Sequence, residues 1–167
     1  VSNLSKKREL LKKEFRRDMT SLNSSLAALN YSYEKCIKIG IKDEYSDDEL
    51  EIFEALTSRF ARTSDIFTQK ILTTIFVLLK ENPHGFIDKA NLSEKLCIIP
   101  KSKDLQEIKE LRNEVSHEYS MRDISEIFED VLNFSATLKD ILKSAQSYID
   151  KKFPEDEEDN SQEENTR

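Results

Sequence analysis

Glycine occurs twice and proline three times in the 167 residues, too few to supply the turns of an all-β fold. The only cysteines, Cys36 and Cys97, are far apart and lack metal-ligand spacing. Neither a disulfide framework nor a zinc module is expected, and both read as buried thiols. No apolar run approaches the roughly 18 residues needed to cross a bilayer. The longest, Ile71 to Leu79, is broken by Thr73 and Thr74. No signal-type apolar segment follows the basic start Lys6-Lys7-Arg8, so a cytoplasmic chain without a membrane segment is expected. A Gly-rich phosphate loop, an HExxH pair and a dinucleotide fingerprint are all missing. With the histidines and cysteines dispersed, neither a cofactor nor a metal is expected.

Charged residues make up 35% of the chain and hydrophobic residues 37%. With so few breakers, that composition points to long helices. The net charge of −7 is unevenly spread: seven acids and one arginine in residues 154–167 account for −6 of it. Residues 154–167 therefore read as a disordered acidic tail, and residues 1–153 as one helical domain close to neutral. Within that domain, Lys6, Lys7, Arg8, Lys12, Lys13, Arg16 and Arg17 face only Glu9 and Glu14. This basic stretch reads as a solvated face, a phosphate-contacting arm or a contact for an acidic partner.

Apolar periodicity marks the elements. A first helix is predicted over 3–38, with Asn23-Ser24-Ser25 as a place for a kink and Gly40 as its stop. Ser46-Asp47-Asp48-Glu49 has the form of a capping box opening a second helix to Glu81. Its stripe is Phe53, Leu56, Phe60, Thr63, Phe67, Ile71, Thr74 and Leu78, widened near both ends by Ile52, Ile66, Ile75, Phe76 and Leu79; Arg59 and Arg62 read as surface ion-pair residues. After a turn with an exposed His84, a short helix is predicted over Phe86–Leu96. Ser102 is the expected N-cap of a helix carrying Leu105, Ile108, Leu111 and Val115. Ser120-Met121-Arg122-Asp123 resembles a further capping box before a last helix. That helix has a seam of Ile124, Ile127, Val131, Phe134, Leu138, Ile141, Ala145 and Tyr148. The fold class is all-α: an up-down bundle of four main helices plus one or two short ones.

The chemistry-bearing residue types collect at Arg112-Asn113-Glu114-Val115-Ser116-His117-Glu118-Tyr119. Asn113 and His117 are four apart and share a face, with Lys109 on the same line. Arginine offers a planar donor fork for phosphate, and histidine exchanges one proton near neutrality. Asparagine can orient either group; tyrosine can donate to oxygen or stack on a base. Together they suit metal-independent RNA cleavage, in which a base removes a 2′-hydroxyl proton and arginine stabilises the charged transition state. Such a reaction also needs an acid, which a second copy across a two-fold axis would bring. The plain alternative is a helix C-terminus, with His117 capping carbonyls and Arg112 paired to Glu114 or Asp104.

These eight residues match R-N-x-x-x-H-x-Y, and the chain resembles the HEPN superfamily, most closely its HepT-like ribonuclease toxins. The resemblance implies a homodimer whose two motifs face one composite RNA cleft. Arg112 and His117 would be the catalytic pair, with Asn113 in support. It also implies a cognate minimal nucleotidyltransferase as antitoxin, which transfers AMP to Tyr119 and so silences the site. The alternative it leaves is a non-catalytic helical partner or substrate-binding subunit of a nucleotidyltransferase.

Overall fold

A computed structural model describes residues 2–117 and 122–155. All regular structure among them is helical: α1 (Asn3–Ile39), α2 (Asp47–Asp65), α3 (Leu72–Leu79), α4 (Gly85–Lys95), α5 (Ser102–Val115) and α6 (Ile124–Lys152). A π-helical segment, Ile66–Ile71, joins α2 to α3 in one rod. Among the described residues no helix is long and apolar enough to cross a membrane.

The helix α1 runs unbroken through Asn23-Ser24-Ser25 and stops at Gly40, whose φ of 73° suits glycine. It packs antiparallel to the rod. The Ser25 hydroxyl meets Thr63 Oγ1 at 2.6 Å, and Thr63 donates in turn to the Arg59 carbonyl. The serines hold no kink: Ser25 is buried against α2 and Ser24 is exposed. Arg59 is not a surface ion-pair residue: it spans the same seam to the Ala28 carbonyl and the Ser32 hydroxyl. At Ser46 both reciprocal bonds of the capping box form, with Glu49.

The rod departs from the single α-helix predicted to Glu81. Its buried column runs Phe60, Ser64, Thr68, Leu72, Phe76 in successive steps of four. Each such step overshoots a straight α-helix by about 40°, some 160° over the four. The wider π turn absorbs part of that drift and keeps both halves facing the core. Ile75 and Phe76 therefore take the buried positions, while the predicted Thr74 and Leu78 are only half-buried. The rod ends at Leu79, capped by Lys80 in a left-handed conformation (φ 58°).

The helices α4 and α5 form an antiparallel hairpin. Ser102 is the first residue of α5 and not its N-cap. Its amide is met by Glu94 at 2.6 Å and its hydroxyl by Asn91 at 2.6 Å, so α4 caps α5 from across the hairpin. At α6 the N-cap is Asp123, which accepts from the Ser125 amide; Ser120, the predicted cap, lies outside the described residues. The α6 seam sits one residue later than predicted at several turns. Phe128, Ser135 and Ile149 are buried in place of Ile127, Phe134 and Tyr148, and Ile124 is exposed, whereas Val131, Leu138, Ile141 and Ala145 are buried as predicted.

The core fills the space between α1, the rod, α5 and α6. Phe53 stacks on Phe128 at 4.6 Å, with Tyr45 edge-on to both. Phe15 meets Phe153 where α6 ends. The thiol of Cys36 is buried at the α1–α2 contact, but that of Cys97 is exposed, against expectation, and the two are free. Cys97 takes φ 61° in the turn after α4, which carries its side chain outwards while Ile98 and Ile99 fill the core. Residues 156–167, the rest of the predicted acidic tail, lie outside the described residues.

Candidate functional site

Leu105, Ile108 and Leu111 bury one face of α5, which sets Arg112 at the edge of that face, one quarter exposed. The guanidinium forks onto Asp65, the last residue of α2: Nε reaches Oδ1 and Nη2 reaches Oδ2, both at 2.6 Å. Its third arm, Nη1, donates to the Ser116 hydroxyl at 2.7 Å, and that hydroxyl donates to the Arg112 carbonyl at 3.0 Å. Neither Glu114 nor Asp104 is its partner. The Asp65 hydrogen bonds raise the guanidinium's already high pKa further; burial opposes them, and the Asp65 charge adds a smaller raising effect. Three of the five N–H bonds are thereby engaged, and the other two have no partner among the described residues.

The α5 helix ends two residues before His117. Its last carbonyls close as tight turns, Asn113 accepting from the Ser116 amide and Glu114 from the His117 amide. The side chains of Asn113 and His117 are exposed, and neither makes a hydrogen bond to another described residue. His117 does not cap carbonyls with its ring. Arg112 and Asn113 thus lie on the last turn of α5 and His117 just past it, with Arg112 fixed and the other two exposed. Tyr119 lies outside the described residues.

Arg122 reaches back to Glu114 at 3.0 Å and forward to Asp130 at 2.5 Å and Glu126 at 3.7 Å. It ties the end of α5 to the start of α6 on either side of residues 118–121. Two residues that matter here carried no sequence signal. Asp65 is 47 positions from the arginine it holds, and Ser116 looked like a spacer within the motif.

The predicted line of Lys109, Asn113 and His117 holds only in part, because the helix stops short of His117. Among the described residues no group of three His, Cys, Asp or Glu side chains is placed to hold a metal ion. The basic start of α1 stands apart from this rim. With Arg16, Phe15, Lys152 and Phe153, its Arg8 and Lys12 line an open cleft of about 810 Å³. That cleft lies at the other end of α6, about 40 Å along the helix. Comparison with family models, with curated proteins and with solved structures gives no match to this chain.

Proposed function

We propose that this chain is a metal-independent endoribonuclease of the HepT-like kind, cutting RNA at a cleft completed by a second copy of itself. The observation that carries the reading is the Arg112 fork. Asp65 and Ser116 hold it in one orientation, its two remaining N–H bonds are available, and an exposed histidine lies five residues on. A pre-positioned guanidinium is what a phosphorane-like transition state needs, since no reorganisation is spent when charge develops.

In this reading one His117 takes the 2′-hydroxyl proton and the freed oxygen attacks the adjacent phosphorus. The bond from phosphorus to the 5′-oxygen breaks, leaving a 2′,3′-cyclic phosphate. The departing oxygen takes a proton from the His117 of the second copy. Arg112 neutralises the non-bridging oxygens and Asn113 orients the histidine or the ribose hydroxyl. A nucleotidyltransferase partner silences the site by transferring AMP from ATP to the Tyr119 hydroxyl, which loses its proton as pyrophosphate leaves; this adds negative charge and bulk two residues from His117.

Expression of the chain alone is expected to arrest growth, and His117→Ala to abolish the arrest with the fold intact. Purified protein is expected to leave cyclic-phosphate ends on RNA in the presence of EDTA. Equal toxicity of parent and His117→Ala would overturn the nuclease reading. Co-purification of a nucleotidyltransferase with both versions, without RNA cleavage, would put the non-catalytic partner role in its place. Intact mass after co-expression with that enzyme reads out the modification, and an AMP adduct on any residue other than Tyr119 counts against its assignment.

A further inference from the structure

The α4–α5 hairpin presents two ammonium groups on the seam where it meets the rod. Lys89 is half-buried. Its Nζ donates to the Thr68 carbonyl in the π segment at 3.3 Å and to Thr73 Oγ1 at 3.1 Å, which leaves one N–H free. Lys109 sits on the facing side of the hairpin, with its ammonium 5.4 Å from the centre of the Phe86 ring. Burial, and then the charge of Lys109, lower the pKa of Lys89. Phe86 and Lys89 lie one turn apart on α4, so Lys109, reaching over Phe86 from α5, comes to the same face as Lys89. Asp88 and Glu110 adjoin them in sequence, but both are exposed. Among the described residues no carboxylate lies within ion-pair distance of either lysine. A fold that holds one ammonium part-buried beside another, with no counter-charge, is short of one anion at that place.

We propose that Lys89 and Lys109 form a phosphate subsite for single-stranded RNA, one step along the strand from Arg112. This rests on the reading that the chain binds RNA at Arg112. Position supports it on both elements. Lys109 is three residues before Arg112 on α5, and Thr68 is three residues after Asp65 on the rod. Each offset is about one helical turn, roughly 5 Å. A strand whose scissile phosphate lies at Arg112 runs over the lysine pair with a neighbouring phosphate. The free N–H of Lys89 and the ammonium of Lys109 then meet its two non-bridging oxygens. The subsite fixes register and carries no base preference.

The test uses the full chain bearing His117→Ala, so that RNA is bound and not cut. Affinity for a fluorescein-labelled single-stranded RNA is read by anisotropy across a salt series. Lys109→Gln is expected to weaken binding roughly three- to tenfold and to lower the salt-dependence slope by about 0.7. Lys89→Gln should do the same. Since it also loses the Thr68 contact, its fold is checked by thermal melting, and Lys109→Gln decides the matter if it does not fold. Unchanged affinity and slope in the folded variants would overturn the subsite. A parent that binds inorganic phosphate at this place but not RNA would overturn the strand assignment. Cleavage by the chain with His117 intact is scored separately. Lysine-dependent binding without cleavage sinks the nuclease reading alone; cleavage with lysine-independent binding sinks the subsite alone.

Discussion

At the residue scale the decisive contact is Arg112 on Asp65. Both side chains are about one quarter exposed, so the pair is screened and its contribution to stability is modest, about 1 kcal/mol. Its larger effect is on orientation. Asp65→Asn keeps the shape but loses the charge and one acceptor of the fork. It is expected to cut kcat for RNA cleavage about tenfold or more with a small change in melting temperature; an unchanged kcat would show that Arg112 needs no holder. Arg112→Lys should fail similarly, because a point charge cannot reproduce a planar fork. Cys36 offers a separate check. Burial pushes its thiol up to about 11. The unfolded thiol ionises near pH 9 while the folded one keeps its proton, so the unfolded state binds fewer protons over that window. Stability must fall between about pH 9 and 11, by about 1–3 kcal/mol. Denaturant titrations at pH 8 and pH 10.5 on the parent and on Cys36→Ala measure it: the parent should lose more. A maleimide should label exposed Cys97 quickly and Cys36 only on unfolding.

At the scale of elements, helix ends and the π segment do the positioning. The Ser46 capping box closes the start of α2, and Ser46→Ala is expected to cost about 1 kcal/mol in a thermal or urea melt. Lys80 pays a left-handed backbone at the end of α3. Lys80→Gly should therefore stabilise, by about 0.5–1 kcal/mol, unless the lysine side chain compensates. The π segment follows directly after Asp65 and supplies the Thr68 carbonyl to Lys89. It thus sets where both the arginine and the lysine are held. The Phe60 side chain, where the buried column of four-residue steps begins, is fully buried. Phe60→Ala is expected to destabilise by about 3–5 kcal/mol in a denaturant titration.

For the whole molecule, charge is unevenly distributed along the chain. The basic start of α1 and the C-terminal end of α6 share one cleft, and the acids of residues 154–167 follow directly from it in sequence. Truncation after Phe153 removes −6 of the −7 charge. It should speed association with RNA at low salt and leave the rate at high salt unchanged, since only screened long-range forces are altered. Stopped-flow binding at two ionic strengths reads this. The proposed reaction needs two copies of His117, so sedimentation should find a dimer at the concentrations at which cleavage is measured.

Much of the fold was legible because amphipathic periodicity is local. Each of the long helices carries its own apolar face, and Gly40 and Ser46 mark ends through backbone preferences that need no partner. The motif at Arg112, Asn113 and His117 was equally visible, but helical spacing sets only Arg112 and Asn113 beside Leu111 and Ile108, since His117 lies past the end of α5. The π segment was written in the four-residue steps from Phe60 to Phe76, but those steps mean a π turn only once the core demands that both halves face it. Tertiary structure alone decided that Asp65 holds Arg112, that Glu94 and not Ser102 caps α5, and that Lys89 stands beside Lys109. Each of these pairs residues on different elements. Which side chains meet then depends on how far one helix is turned and shifted against the next, and no local pattern in the chain encodes that offset.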